Sequence, residues 1–411
     1  MRRPSLLRRP LRTVAEVVAV GLLAAQGVLF AGAVPAGAGV SVTVTPRAAM
    51  TAGPTINEYR PPGISATASS DDIGITTGPD GNLWFTDSGA SLIGTITTSG
   101  SGLREFPTTS PDATPDDIVS AGGRLWFTEF SVSASQVGEV TTGGTMNEFG
   151  ISLPGAAPST IVVGPDGNLW FTDFLNGSIG TLSPNATPGT LATTHKIDVP
   201  TLNPTDITVG PDHNLWFTES GAGGGKIGVM TSAGTQIHDY PAVSGSGAGI
   251  AGIVTGPDGN IWYTEQNAGK IGKMNPSTGT FTEYPVGGNA APSAIVSTGG
   301  NLWFVDQGNN AIGEITPGGA VTEFAVPTAH AFSPNVSPVG LTVGPDGNLW
   351  FTEQDTASAV AQLVLSTVGS GGGGGNNGGG GGGGCSGGGP LGGLLGLIQS
   401  LLRLLGLGGG C

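Results

Sequence analysis

The sequence predicts an all-β fold, a seven-bladed β-propeller of four-stranded blades, and three observations carry that expectation. The seven tryptophans, Trp84, Trp126, Trp170, Trp216, Trp262, Trp303 and Trp350, recur at intervals of 42, 44, 46, 46, 41 and 47 residues. A period in this range marks a repeat architecture in which each unit is one supersecondary module. Each Trp sits in one phrase, clearest as Gly-Pro-Asp-Gly-Asn-Leu-Trp-Phe-Thr-Asp/Glu at 78–87, 164–173 and 344–353. Apart from a glycine-rich carboxy-terminal segment, with 23 glycines in 369–411, the composition is that of an ordinary soluble chain.

The first element is an export signal, expected over 1–38. Arg2, Arg3, Arg8, Arg9 and Arg12 precede an apolar stretch from Val14 to Val34, and small residues follow Pro35. Basic, apolar, then small is the layout of a cleavable secretory leader. The alternative is an uncleaved anchor, since the apolar run approaches spanning length. Residues 39–55 form a short extension before the propeller, which is expected over 56–367.

Within each repeat, Pro-Asp-Gly-Asn makes a turn because Pro presets φ and Gly accepts positive φ. An apolar run such as Asp206-Ile207-Thr208-Val209 lies before it, and Leu215-Trp216-Phe217-Thr218 lies after it. Together they make a hairpin. A third strand carries Ile-Gly-x-Ile/Met, as at Ile93-Gly94-Thr95-Ile96, and a fourth carries an acid and an aromatic, as at Glu105-Phe106. Four strands per period describe a propeller blade, whose apolar runs suit strands covered on both faces. The glycine in the third strand is expected to let the neighbouring blade's Trp lie flat on the backbone. After Trp350 no acid–aromatic strand follows, but the missing phrase precedes the first blade at Asn57-Glu58-Tyr59. The amino-terminal strand should therefore complete the last blade and leave no open edge.

Beyond the propeller a Gly-rich linker is expected over 368–390, then a Leu-rich tail over 391–411. Leu391, Leu394, Leu395, Ile398, Leu402 and Leu405 follow helical spacing, with Gln399, Ser400 and Arg403 on the other side. The tail reads as a short amphipathic helix that docks on a membrane, a partner or its own copy, or else as a disordered segment. Cys385 and Cys411, the only cysteines, bracket it. In an exported protein such a pair is expected to form a disulfide, either within the chain or as a bridge linking a dimer.

The repeat phrases, together with Ile-Gly-x-Ile and Thr-Glu-Phe, resemble the virginiamycin B lyase (streptogramin lyase) family across the whole propeller. The resemblance implies a magnesium-dependent C–O lyase that opens cyclic depsipeptide antibiotics of the streptogramin B type by elimination across an ester. Elimination requires a base for the α-proton and an electrophile for the developing enolate. In the family these groups lie on the innermost strands of the last two blades, in Pro-His-Ala-Ile and Glu-Pro-His-Gly-Ile, with a glutamate after the last Trp phrase. Aligned by Trp, the two histidines fall on Ser293 and Val339 and the inner-strand glutamate on Ser337, while Glu353 keeps the last carboxylate. Glu353 is thus the one retained magnesium candidate.

The equivalent positions of the other blades, Ile73, Asp116, Ser159, Thr205 and Ala251, hold no histidine either. His195 and His238 fall in outer strands, His213 in a hairpin turn and His330 in an interblade loop, all read as structural. The Trp phrases end in Asp87, Glu129, Asp173, Glu219, Glu265, Asp306 and Glu353. Two readings stand for them: a circle of carboxylates at the channel mouth that attracts cations, or repeated acceptors for neighbouring loops. Asp71, Asp72, Asp116 and Asp117 flank the inner strands of the first two blades only, and so are asymmetric candidates for a ligand or cation site.

With 29 acidic residues against 14 basic ones and a formal charge of −15, the chain lacks the electrostatic footprint for nucleic acid. The expected function is that of an exported binding or interaction module for an extracellular ligand or protein, without the family's chemistry. The alternative is a magnesium-dependent C–O lyase acting on a cyclic depsipeptide or related lactone.

Overall fold

A computed structural model of the chain describes residues 54–59, 72–110, 112–131, 135–197, 203–221, 225–241, 245, 247–332, 339–354 and 359–365. The leader at 1–38, Asp71, Ser337, the linker, the tail, Cys385 and Cys411 lie outside the described residues. All the described elements are strands.

The first strand, β1 (Thr55–Tyr59), is followed by blade one: β2 (Asp72–Thr77), β3 (Leu83–Asp87), β4 (Leu92–Ile96) and β5 (Arg104–Pro107). Blade two has β6 (Pro115–Ala121), β7 (Arg124–Glu129), β8 (Gln136–Val140) and β9 (Met146–Gly150). Blade three has β10 (Pro158–Val163), β11 (Leu169–Asp173), β12 (Ser178–Leu182) and β13 (Thr193–Lys196). Blade four has β14 (Asn203–Val209), β15 (Leu215–Ser220), β16 (Lys226–Met230) and β17 (Gln236–Pro241). Blade five has β18 (Ile250–Thr255), β19 (Ile261–Glu265), β20 (Lys270–Met274) and β21 (Phe281–Pro285). Blade six has β22 (Pro292–Thr298), β23 (Asn301–Asp306), β24 (Ala311–Ile315) and β25 (Val321–Ala325). The last blade holds β26 (Leu341–Val343), β27 (Leu349–Glu353) and β28 (Ala359–Val364), and its outer strand is β1. The register Thr55↔Val364 to Tyr59↔Val360 is antiparallel throughout, so the strand exchange at the ends is as the sequence predicts. These seven sheets form the circle of a seven-bladed propeller.

The Trp strand is buried on both faces, which explains its unbroken apolar run. Trp84 packs with Leu125, Phe127 and Val140 of the next blade, and Trp350 packs with Leu83 and Phe85 across the closing junction. The core is therefore not one mass but a set of interblade layers, one at each junction. Each Trp also contacts the outer-strand aromatic of its own blade, as in Trp84–Phe106 at 5.5 Å and Trp350–Tyr59 at 5.4 Å between centroids. His195 fills that slot against Trp170 at 5.4 Å. In the five blades whose turn carries an aspartate, that aspartate meets the indole N–H: Trp84 Nε1 donates to Asp80 Oδ1 at 3.0 Å, and Asn82 donates to the same carboxylate.

The third-strand glycine has a different neighbour from the one expected. Gly94 faces Phe85 of its own blade, and a Cβ there would lie 2.2 Å from the Phe85 ring. The glycine makes room for the Phe directly opposite it, not for the neighbouring blade's indole. The indole instead lies against the glycine that opens the turn, as Gly78 does for Trp84.

Candidate functional site

The first strand of each blade lines the axis, and nearly all of these strands carry the same irregularity. Register slips between Pro115 and Ile118, Pro158 and Ile161, Pro204 and Ile207, Ile250 and Ile253, and Pro292 and Ile295. A bulge of this kind re-aims side chains, and bulges are enriched next to active sites. Here it splits two adjacent rows. Ser159, Thr205, Ala251 and Ser293 face a cavity of about 300 Å³ at one mouth of the channel. Asp117, Thr160, Asp206 and Ala294 face an axial cavity of about 350 Å³. Asp206 lines both.

Phe130 and Phe174 form a lip on the mouth, with centroids 6.2 Å apart, and Phe130 is 38% exposed. Gln266 and Asn267 add amides. Ser293 is 1% exposed, and its hydroxyl has no hydrogen-bond partner. Its carbonyl accepts from Thr264 Oγ1 at 2.7 Å.

The axial aspartates hold the blades together as well as charging the channel. Asp117 accepts from its own blade's Ile118 N at 2.8 Å and from Ile161 N of the next blade at 2.9 Å. Asp206 does the same with Ile207 N and Ile253 N, both at 2.8 Å. Asp116 accepts from Ser159 Oγ at 2.7 Å, while its Oδ1 has no partner. Burial pushes the carboxyls of Asp116 and Asp206 up to about 6. Asp117 is pushed to about 7, by burial first and then by the neighbouring Asp206 and Asp116 charges. In each case burial is the largest cause, and it favours the neutral form.

Other sequence-nominated residues lie elsewhere. The Trp-phrase acids do not surround the channel mouth: all are at most 3% exposed, and none lines either cavity. They end the second strand, one step away from the axis, and are buried there. Asp87 accepts from Ala90 N at 2.9 Å. Asp173 accepts from Ala157 N at 2.9 Å and Ser178 Oγ at 3.0 Å. Asp306 gathers Ala291 N, Gly308 N and Asn309 N within 3.1 Å. Glu129, Glu219, Glu265 and Glu353 are buried in the same row. Asp72 begins β2.

Val339 is wholly buried in an apolar cluster with Val305, Ala331 and Phe332. None of the four histidines lines the mouth or the axial cavity. His213 and His330 adopt positive φ of 60° and 59° in their turns, and His330 lines a separate cavity of about 500 Å³. Among the described residues no three His, Cys, Asp or Glu side chains are placed to hold a metal ion. Val339 carries an apolar side chain and Ser293 a hydroxyl. Asp206 is the site residue that sequence reading missed, although it occupies the same place in its repeat as Asp117.

The model of the virginiamycin B lyase family matches residues 48–240 and 153–367. Among solved structures, a streptogramin B lyase is 31% identical with a TM-score of 0.66, covering 76% of this chain and 98% of that one. The virginiamycin B lyase of Staphylococcus aureus is 27% identical with a TM-score of 0.65, covering 76% and 99%. A catalytically inactive histidine-to-alanine variant of that enzyme, solved with quinupristin, matches equally well. An extracellular domain of a putative hybrid two component system from B. thetaiotaomicron, 12% identical with a TM-score of 0.58, covers 77% of this chain and 43% of that one and shares the fold alone. No curated protein matches in sequence.

Proposed function

The chain belongs to the virginiamycin B lyase family, and from that premise we propose an exported propeller that binds a ligand at its channel mouth without the family's ester elimination. One observation carries this reading: the mouth cavity is present, but Ser293 and Val339 stand where the family places its histidines. Proton abstraction next to a carbonyl needs a base within hydrogen-bond reach of the substrate. The mouth offers the hydroxyls of Ser159, Thr205 and Ser293 and the amides of Gln266 and Asn267, none of which is a base near neutral pH. Its one carboxylate, Asp206, already accepts two backbone amides. A cavity of about 300 Å³ with an aromatic lip and a few polar groups suits a small ligand or a projecting side chain. The basic and apolar amino-terminal segment supports export.

The test is incubation of the purified protein with quinupristin and magnesium, followed by chromatography for linear product. The expected result is no opening beyond the protein-free control. Opening at a rate above that control would overturn the reading and favour the C–O lyase alternative, which rests on Glu353 and on the family match through residue 367. In that case Glu353→Gln should abolish the activity.

A further inference from the structure

We infer that the mouth selects a small ligand carrying a protonated amine on an aromatic or apolar body, with the amine directed at Asp206 and the body against Phe130 and Phe174. The inference rests on the reading of the mouth as a binding site and names the chemistry that site accepts.

Charge gives the first argument. The titratable groups lining the mouth and the axial cavity, among the described residues, are Asp116, Asp117 and Asp206, and no Lys, Arg or His lines either. A low-dielectric cleft of one sign concentrates ligands of the other sign. Hydrogen-bond bookkeeping gives the second. Ser293 Oγ and Asp116 Oδ1 are buried, at 1% and 3% residue exposure, and both lack a partner. Buried polar atoms are normally satisfied, so the Ser293 hydroxyl marks a position for a ligand's polar group at the mouth, and Asp116 Oδ1 marks one in the adjoining axial cavity. An ionised carboxylate oxygen can only accept, so the partner missing at Asp116 is a donor, while the Ser293 hydroxyl has room to accept from a donor or to donate. An ammonium carries three donors and a charge, which makes each bond stronger than a neutral one. The lip gives the third argument, since Phe130 and Phe174 present apolar ring surface at the entrance and attract cations through their faces.

The same geometry fixes a pH dependence. Burial holds Asp116 and Asp206 near 6 and Asp117 near 7. An ammonium favours their ionised forms, so binding releases protons and weakens as pH falls through that range.

The full-length protein would be titrated calorimetrically with phenethylamine, neutral 2-phenylethanol and anionic phenylacetate. Near pH 8 the amine is expected to bind about tenfold or more tightly than the alcohol, with phenylacetate weakest. Near pH 5 that advantage should shrink to about threefold or less, and heats in two buffers should report proton release at neutral pH. Asp206→Asn should remove most of the preference at pH 8. The wild-type pH series carries the test independently if that variant misfolds. Equal binding of amine and alcohol at pH 8, or a pH-independent preference, would overturn the inference while leaving the mouth as a binding site. Failure of all three probes to bind would overturn both.

Discussion

Glu129 and Glu219 are fully buried at the ends of Trp-bearing strands, each beside a second acid, and both are pushed up to about 8. Burial is the main cause; the charges of Glu148 and Asp239 respectively add to it. A folded-state value raised above the ordinary 4.5 means that the native protein holds protons the unfolded chain has released. Stability contributed by these groups is therefore greatest below that ordinary value and is lost as pH rises toward 8. The turn aspartates work in the opposite sense. Burial alone would raise Asp80, but hydrogen bonds from Trp84 and Asn82 outweigh it and hold the carboxyl below its usual range. Their contribution is lost as pH falls through that low value. The melting temperature should thus decline from about pH 5 to about pH 8.5, and a Glu129→Gln, Glu219→Gln double variant should flatten the decline. Calorimetric melts across that range check it; an unchanged slope in the double variant would assign the decline to other groups.

Between blades, a threonine in the Trp strand acts as a repeated cross-link. Thr264 Oγ1 accepts from Gly252 N at 2.8 Å within its blade and donates to the Ser293 carbonyl of the next at 2.7 Å. Thr218 and Thr86 repeat the arrangement toward Ala251 and Asp116. Blade six has Val305 in this place, and its junction to blade seven is filled instead by the Phe332, Val339 and Phe351 layer. At this junction apolar filling stands where other blades carry the polar link, and the burial of Val339 is part of the same packing. At Thr86, Thr218 and Thr264 the hydroxyl serves one backbone N–H of its own blade and one carbonyl of the next, so removing it takes a partner from two backbone groups. Thr264→Val should cost about 2 kcal/mol in denaturant unfolding, and Thr264→Ser, which keeps the hydroxyl, much less. Equal costs for the two would show that the methyl group, not the hydroxyl, matters there.

At the level of the whole propeller, blade number and closure were legible because Trp84 through Trp350 and the Asn57-Glu58-Tyr59 phrase recur in the chain itself. The site was less so. For the Trp-phrase acids two readings stood, channel mouth or loop acceptors, because the sequence marks a strand's end but not the direction its side chain takes. Asp206 was hidden for a related reason: only the bulge turns it to the axis, and the bulge is a property of pairing between strands. Closure itself rests on β1. Tyr59 stacks on Trp350 at 5.4 Å, Asn57 donates to Gln362 at 3.0 Å, and Glu58 accepts from Thr328 N at 2.8 Å. Removing residues 1–60 would strip the indole of its cover and leave β28 as an unpaired edge, which invites pairing between molecules. The shortened chain should melt roughly 10 °C lower or elute as aggregates in size-exclusion chromatography. A peptide of residues 53–60 supplied in trans should recover part of the monomer. An unaltered melt without β1 would mean that the ring closes through the contacts of β26 and β27 with β2 and of Trp350 with Leu83 and Phe85, and the exchanged strand would then be dispensable.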